Sequence, residues 1–528
     1  MNSGNAGYSP RRRGATEKRW ERPWVGRTCG VACLAMTAMM FETGASGQPV
    51  RTCESLTSVS LPNTTIESAA VEPATGTRPS FCRVTAVTTH PPAGDRIRMF
   101  IGLPVTGWNG RFEGVGGGGF SGGSPNGVAA PVAQGYAGGS TDTGHEGGSG
   151  SFALDGTGHL NWLLIRDNAY LGIHEMTVTG KALVEAFYGT AARHSYFNGC
   201  STGGRQGLSE AQRYPADYDG ILSGAPAINW TKLHMEQMWG TVVMLQAKNP
   251  VPQCKFAAAT TAAVEACDAA DGVKDGVIEN PRACTFDPKQ LVGTSSANCD
   301  AITEADADVI RKIWQGPRRQ DGSFLWYGLQ RGADFFGLSS TGGAPLAPRP
   351  NPITLEWWRY FLNQNPQWDY SGLTPALYEQ YWDQSVEEFS AVLATDNPDL
   401  SAFRDRGGKI VLWHGWSDQL IYPEGTIDYY QRVQKQMGGA ENTSRFARLF
   451  LAPGVGHCAG GPGPQPEGQF DAVVRWVEEG KAPETLNAVR RNQGSVVRSR
   501  PLCQFPLVAK YRGTGSTDDA ANFACAAR

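Results

Sequence analysis

The chain has 528 residues, a formal net charge of −3 and 18% charged residues. Neither the charge nor its density points to nucleic acid or an anionic membrane surface, so neither is expected as a partner. The length exceeds what one hydrophobic core usually serves, and one catalytic domain with a large insertion is expected.

At the N-terminus, Arg11, Arg12, Arg13, Lys18, Arg19, Arg22 and Arg27 precede an apolar run at 31–41 and the small residues Gly44-Ala45-Ser46-Gly47. A basic region, a short apolar region and small residues form the pattern of an export signal, expected over 1–47. The apolar run is too short to span a bilayer, so no membrane span is expected and the location is secreted or periplasmic. Of twelve cysteines, Cys29 and Cys33 fall inside that signal. Ten remain, an even number, which in an exported chain favours five disulfides over metal or redox sites.

Residues 96–104 alternate as an early strand, and a turn at 108–112 leads into Glu113 and then Gly114, Gly116, Gly117, Gly118 and Gly119. A dinucleotide cradle would need an acidic residue and a βαβ continuation that do not follow. The better reading is a backbone N–H near Gly118 that helps to hold an oxyanion; which glycine donates stays open. Residues 176–188 have helical spacing, with Val178, Leu183 and Phe187 among the apolar positions.

Gly199-Cys200-Ser201-Thr202-Gly203 has the form G-x-S-x-G. It stands between a strand-like run at 195–198 and a helix-like run at 205–213, the context of a nucleophile elbow. Such a turn exposes the serine hydroxyl and puts the amide of Thr202 at a helix N-terminus, where it can hold an oxyanion. The motif also arises by chance in a chain with 66 glycines. Two later strands add weight. Residues 407–413 run into His414-Gly415-Trp416-Ser417-Asp418, and residues 448–451 run into Gly454-Val455-Gly456-His457-Cys458. Ser201, Asp418 and His457 then occur in the order of α/β-hydrolases, each in a loop after a strand. His414 precedes the acid and reads as a loop or core histidine. His145 and Asp142 precede the serine and read as structural polar groups. Residues 469–479 read as a late helix with Phe470, Val473, Val474 and Val477 on one face.

Between nucleophile and acid the texture changes. Eight of the fifteen tryptophans fall there, proline is frequent and strand alternation is weak. Most of those aromatics read as core, with a few left to line a pocket. Within this segment Asp268, Asp271 and Asp275 crowd one short glycine-bearing loop, a set of oxygen ligands that suits calcium, although the spacing is not that of an EF-hand.

Gly-Cys-Ser-Thr-Gly-Gly, Asp418 and His457-Cys458 resemble the Cys-Ser…Asp…His-Cys pattern of the tannase and feruloyl esterase family, which also includes a terephthalate monoester hydrolase. The resemblance runs from about residue 50 to the end. It implies an α/β-hydrolase core with a large inserted lid domain: core over 48–228, lid over 229–404, core again over 405–528. It implies the pairs Cys53–Cys82, Cys200–Cys458, Cys267–Cys284 and Cys503–Cys525; the pairing of Cys254 and Cys299 stays open. It implies a structural Ca2+ held by the side chains of Asp268, Asp271 and Asp275 and the carbonyls of Val273 and Val277. By its place in the segment 328–336, Arg331 resembles the family's carboxylate-binding arginine, with Phe335 as an aromatic neighbour. The expected function is a serine carboxylesterase for aromatic acid esters, with Ser201, His457 and Asp418 as nucleophile, base and acid, Thr202 and Gly118 at the oxyanion, and Cys200–Cys458 at the site. The alternatives are a terephthalate monoester hydrolase specifically, a triad amidase or peptidase, and an inactive hydrolase-fold binding module.

Overall fold

The computed structural model describes residues 47–295 and 299–527. The export-signal reading, with Cys29 and Cys33, falls on residues outside that range apart from Gly47.

Nine strands form one sheet: β1 (Thr64–Glu72), β2 (Phe81–Thr88), β3 (Ile97–Pro104), β4 (Arg111–Val115), β5 (Ala137–Thr141), β6 (His194–Cys200), β7 (Gly220–Gly224), β8 (Lys409–Gly415) and β9 (Ala447–Ala452). Their order is β1-β2-β3-β5-β4-β6-β7-β8-β9. The pairs from β1 to β5 are antiparallel, and every pair beyond β5 is parallel. β7 (Gly-Ile-Leu-Ser-Gly) and β9 (Ala-Arg-Leu-Phe-Leu-Ala) are buried at every position. Parallel strands covered on both faces read as such unbroken runs.

Alternate residues of these strands enter two separate cores, as a period of two requires. Phe197, Ile221, Ile410 and Leu412 pack with helices α1 (Gly172–Tyr188) and α2 (Thr202–Arg213). Tyr196, Leu222, Val411 and Trp413 pack instead with a late helix, Gln469–Glu479, through Val473, Val474 and Trp476. The result is a three-layer α/β-hydrolase arrangement. In α1 the buried stripe is Met176, Leu183, Val184 and Phe187, whereas Val178 is exposed: the helix begins earlier than expected and its phase follows the larger side chains.

Among the described residues, the segment 229–404 contributes no strand to the large sheet. It begins with helix α3 (Trp230–Glu236) and continues through the helices Trp239–Ala247, Gln253–Cys267, Glu304–Gln315 and Pro375–Leu393. These enclose an aromatic core of their own, which also takes in Phe120, Phe152, Ile421 and Tyr422 from the loops of the sheet. At the C-terminal end only β8 and β9 join the large sheet. Gln465–Glu467, Thr485–Asn492 and Ser495–Cys503 form a separate three-stranded sheet, and Val508–Tyr511 pairs with Phe523–Ala526. The two longest of these strands are exposed at many positions, which suits antiparallel hairpins with one wet face.

Among the described residues five disulfides are formed: Cys53–Cys82, Cys200–Cys458, Cys254–Cys299, Cys267–Cys284 and Cys503–Cys525. Among the described residues no helix is long and apolar enough to cross a membrane.

Candidate active site

Ser201 sits between the end of β6 and the start of α2, with φ +63° and ψ −124°. This positive φ is unfavourable for an L-residue with a side chain and needs a surrounding that enforces it. The enforcement is visible in its neighbours. Ser201 N donates to Gly224 O across to β7. A Cβ on Gly199 would lie 2.4 Å from the backbone of Gly203, so only glycine allows the turn to close this tightly.

The three residues expected to act together are brought together. Ser201 Oγ donates to His457 Nε2 at 2.9 Å, and His457 Nδ1 donates to Asp418 Oδ2 at 2.8 Å. Asp418 follows β8, His457 follows β9, and all three lie beyond the carboxyl ends of parallel strands, where open α/β sheets place their sites. Cys200 and Cys458 are bonded, which ties the serine loop to the histidine loop across 258 residues of sequence.

Asp418 is completely buried. Burial alone would raise its pKa. The charge of His457 and the hydrogen bonds from His414 and His457 outweigh burial and hold it well below the ordinary carboxylate range. Its other oxygen accepts from the amides of Leu420 and Ile421, both at 2.8 Å. His414, read from the sequence as a loop or core residue, is therefore part of this network. Its Nε2 donates to Asp418 Oδ2 and to Ile421 O, and its Nδ1 accepts from Thr426. Gln419, which no sequence signal marked, accepts from the backbone N–H of His457. His145 instead bonds to Phe120 O and stacks on Phe152.

The glycine loop after β4 is pinned to the elbow. Thr202 Oγ1 donates to Gly119 O at 2.6 Å, and Gly203 N donates to Gly117 O. The amides of Gly116 and Gly117 are already spent on Asn198 O and Gln206 Oε1. Gly118 and Gly119 therefore remain as the loop glycines able to supply a donor, and Thr202 stands at the first helical position, where an amide has no intrahelical acceptor.

Ser201, Thr202 and His457 open onto a cavity of about 420 Å3, lined also by Gly118, Trp230, Leu233, His234, Gln237, Asn351, Ile353, Leu420 and Ile421. Arg331 and Phe335 do not line it. Arg331 Nε donates to Phe286 O and its guanidinium lies over Trp314. Phe335 is buried against Phe256. Phe335 belongs to the core of the inserted segment with Leu329 and Ala333, Arg331 lies half-buried at its edge, and Asp334 and Phe336 are exposed. Of the eight tryptophans in that segment, Trp230 lines the cavity.

The acidic loop follows the helix Gln253–Cys267 and is clipped by Cys267–Cys284. Asp271, Asp275, Val277 and Glu279 line one small enclosed cavity of about 20 Å3, which Arg500 also lines. Carboxylates converging on so small a space fit a hard cation. Asp268 plays another part: its carboxylate accepts from the amides of Asp275, Gly276 and Val277 and shapes the loop. Asp275 also accepts from Arg500 at 2.7 Å.

The sequence model described as tannase and feruloyl esterase matches residues 82–526. The chain belongs to the tannase and feruloyl esterase family. This esterase is 39% identical over 483 residues to a probable feruloyl esterase of Arthroderma benhamiae, covering 89% of this chain and 87% of that one. It is 33% identical over 506 residues to a mono(2-hydroxyethyl) terephthalate hydrolase of Piscinibacter sakaiensis, covering 82% and 81%. Feruloyl esterase B from Aspergillus oryzae superposes with a TM-score of 0.79 at 27% identity, over 90% of this chain and 99% of that one. The esterase is a carboxylic ester hydrolase.

Proposed function

We propose that this esterase hydrolyses esters of aromatic acids through an acyl-enzyme on Ser201. The observation that carries the reading is the unbroken pair of hydrogen bonds from Ser201 through His457 to Asp418 at an aromatic-lined and aliphatic-lined cavity. Ser201 Oγ attacks the ester carbonyl while His457 Nε2 takes its proton. Asp418 keeps the imidazole in the required tautomer and stabilises its positive charge. The amides of Thr202 and of Gly118 or Gly119 receive the oxyanion. His457 then gives its proton to the leaving alcohol, and water, activated by the same histidine, releases the acid.

Trp230, Leu233, Ile353, Leu420 and Ile421 offer a ring-sized apolar wall. Among the described residues no lysine or arginine lines the cavity, which favours phenolic acids over acids carrying a second carboxylate. The segment 229–404 supplies much of that wall and acts as the lid. A calcium ion held by Asp271, Asp275 and the Val277 carbonyl, with Asp268 and Val273 shaping the loop, would draw together carboxylates that otherwise repel. Five disulfides suit an oxidising compartment, so the chain is exported; recovery of the active, oxidised protein only from the cytoplasm would contradict this.

Matched methyl esters and anilides of hydroxybenzoic, hydroxycinnamic and terephthalic acids test the reading. Phenolic esters are expected to turn over fastest and anilides not measurably. Faster turnover of anilides would favour a peptidase-like amidase, and no turnover of any would leave a binding module.

A further inference from the structure

A buried carboxyl group with no donor stands near the far end of the helix that follows the elbow. Glu210 lies in the third turn of α2, is 1% exposed, and neither of its oxygens receives a hydrogen bond. A buried charged oxygen without a donor is costly, so such a group calls for a proton or a cation.

What faces Glu210 is another acceptor. Asp217, 7% exposed, stands in the turn between α2 and β7. Burial, and then the charge of Asp217, hold the pKa of Glu210 well above the ordinary carboxyl range. Asp217 Oδ2 accepts from His174 Nδ1, on α1, at 2.7 Å. One imidazole nitrogen and one oxygen from each carboxyl group all lie within 4.8 Å of one another. The surroundings fix these side chains. The His174 ring stacks on Tyr214 with centroids 3.8 Å apart, and the turn is closed by Tyr214 N on Glu210 O and Asp217 N on Tyr214 O. Lys181 is near enough to feel both negative charges. Its Nζ nevertheless donates to the main-chain carbonyl of Asp217 and lies over the Tyr218 ring. None of the three residues lines the catalytic cavity.

We propose that His174, Glu210 and Asp217 form a binding site for a divalent transition-metal cation, with zinc the best fit. One imidazole and two carboxylates are donors for a borderline cation, whereas calcium takes six or more oxygens. Zinc stands about 2.0–2.2 Å from such ligands, so two ligand atoms on one ion lie at most about 4 Å apart. Shifts of about 1 Å complete the set. The ion takes the place of the proton between His174 and Asp217 and gives Glu210 a positive partner; the displaced protons go to solvent. A bare ion needs no cavity, because the ligand atoms themselves enclose it. It enters from the surface, where the side chains of His174 and Asp217 are 25% and 11% exposed, and a water there completes four-coordination. Glu210 lies about 12 Å along α2 from Thr202 at 1.5 Å per residue, so the ion is structural and takes no part in the ester chemistry.

The experiment strips the purified protein of metal, restores calcium in excess so that the acidic loop at 268–279 does not compete, and titrates zinc chloride by calorimetry. The wild-type protein should take up one zinc ion per chain. Glu210→Gln keeps the shape of the buried side chain and removes its charge, and His174→Asn changes the ligand nearest the solvent. Loss of an outer-shell partner alone costs about 10–100-fold in metal affinity, so each variant should bind zinc at least about tenfold more weakly. A wild-type protein that binds no zinc overturns the proposal, whether or not the variants fold, and leaves Glu210 and Asp217 sharing a proton. Zinc bound as tightly by either folded variant as by wild type overturns it as well, since the ion then sits elsewhere.

Discussion

A carboxylate removed from water is costly unless donors replace its hydration. Asp418 receives four, from His457, His414, Leu420 and Ile421, and stays ionised at the centre of the site. Glu113 shows the opposite case. It is 2% exposed and receives one bond, from Asn198 Nδ2, while its second oxygen has no partner. Burial raises its pKa to about 7. Folding therefore holds a proton that the unfolded chain releases above its ordinary value of 4.5. With more protons bound to the native state than to the unfolded one, stability falls as pH rises from that value towards 7. Glu113→Gln should remove this slope and stabilise the protein above pH 7 by up to about 3 kcal/mol. Thermal melts at acidic and mildly alkaline pH read the effect, and identical slopes in the two proteins would refute it. Ser201 was legible at this scale because its motif is local. The role of His414 was not, because its partners Asp418, Ile421 and Thr426 meet only after the loop beyond β8 has folded back.

The elements that carry the site are strand ends held in register by cross-links. The serine loop and the histidine loop follow β6 and β9, with β7 and β8 between them in the sheet. Cys200–Cys458 joins them directly. A displacement of about 1 Å at the reacting atoms can cost about 100-fold in rate. Replacing Cys200 and Cys458 with alanine should therefore lower kcat far more than replacing Cys503 and Cys525, the pair that joins the strand Ser495–Cys503 to the last strand, Phe523–Ala526. Equal losses in the two double variants would show that the first bridge serves stability alone. The acidic loop is a second such element. Chelation of the purified protein should lower its melting temperature, and Asp271→Ala should do the same, with ester turnover retained well below the transition. Elemental analysis that finds no metal, together with an unchanged melting temperature, would leave a solvated acidic turn. In the nine-stranded sheet β3, β6, β8 and β9 were legible as alternating or apolar runs, whereas β1, exposed at most positions, and β7, too short at five residues to show a period, were not. The C-terminal sheet was not, because its two long strands are exposed over much of their length and show no regular alternation.

Across the whole molecule, the cavity is assembled from six stretches far apart in sequence: the glycine loop at 117–119, the elbow at 200–202, residues 227–237 with helix α3, residues 351–353, and the loops bearing Leu420 and His457. Arginine and aromatics at 331–336 look like a substrate site in sequence, yet the fold turns Phe335 into the core of the inserted segment and Arg331 to its edge. Residues that line the cavity with Ser201, Trp230 and Leu233 among them, carry no local signal, since apolar helical residues read equally well as core. Chemistry at a strand-to-helix turn is written locally, whereas the shape of a pocket is written in tertiary packing. The proposed function rests on Ser201 as the nucleophile. Measuring kcat/KM for a phenolic ester in Ser201→Ala tests it most directly. A loss of about 10⁴–10⁶-fold with an unchanged melting temperature is expected, and activity within about tenfold of wild type in a folded Ser201→Ala protein would contradict the role of Ser201.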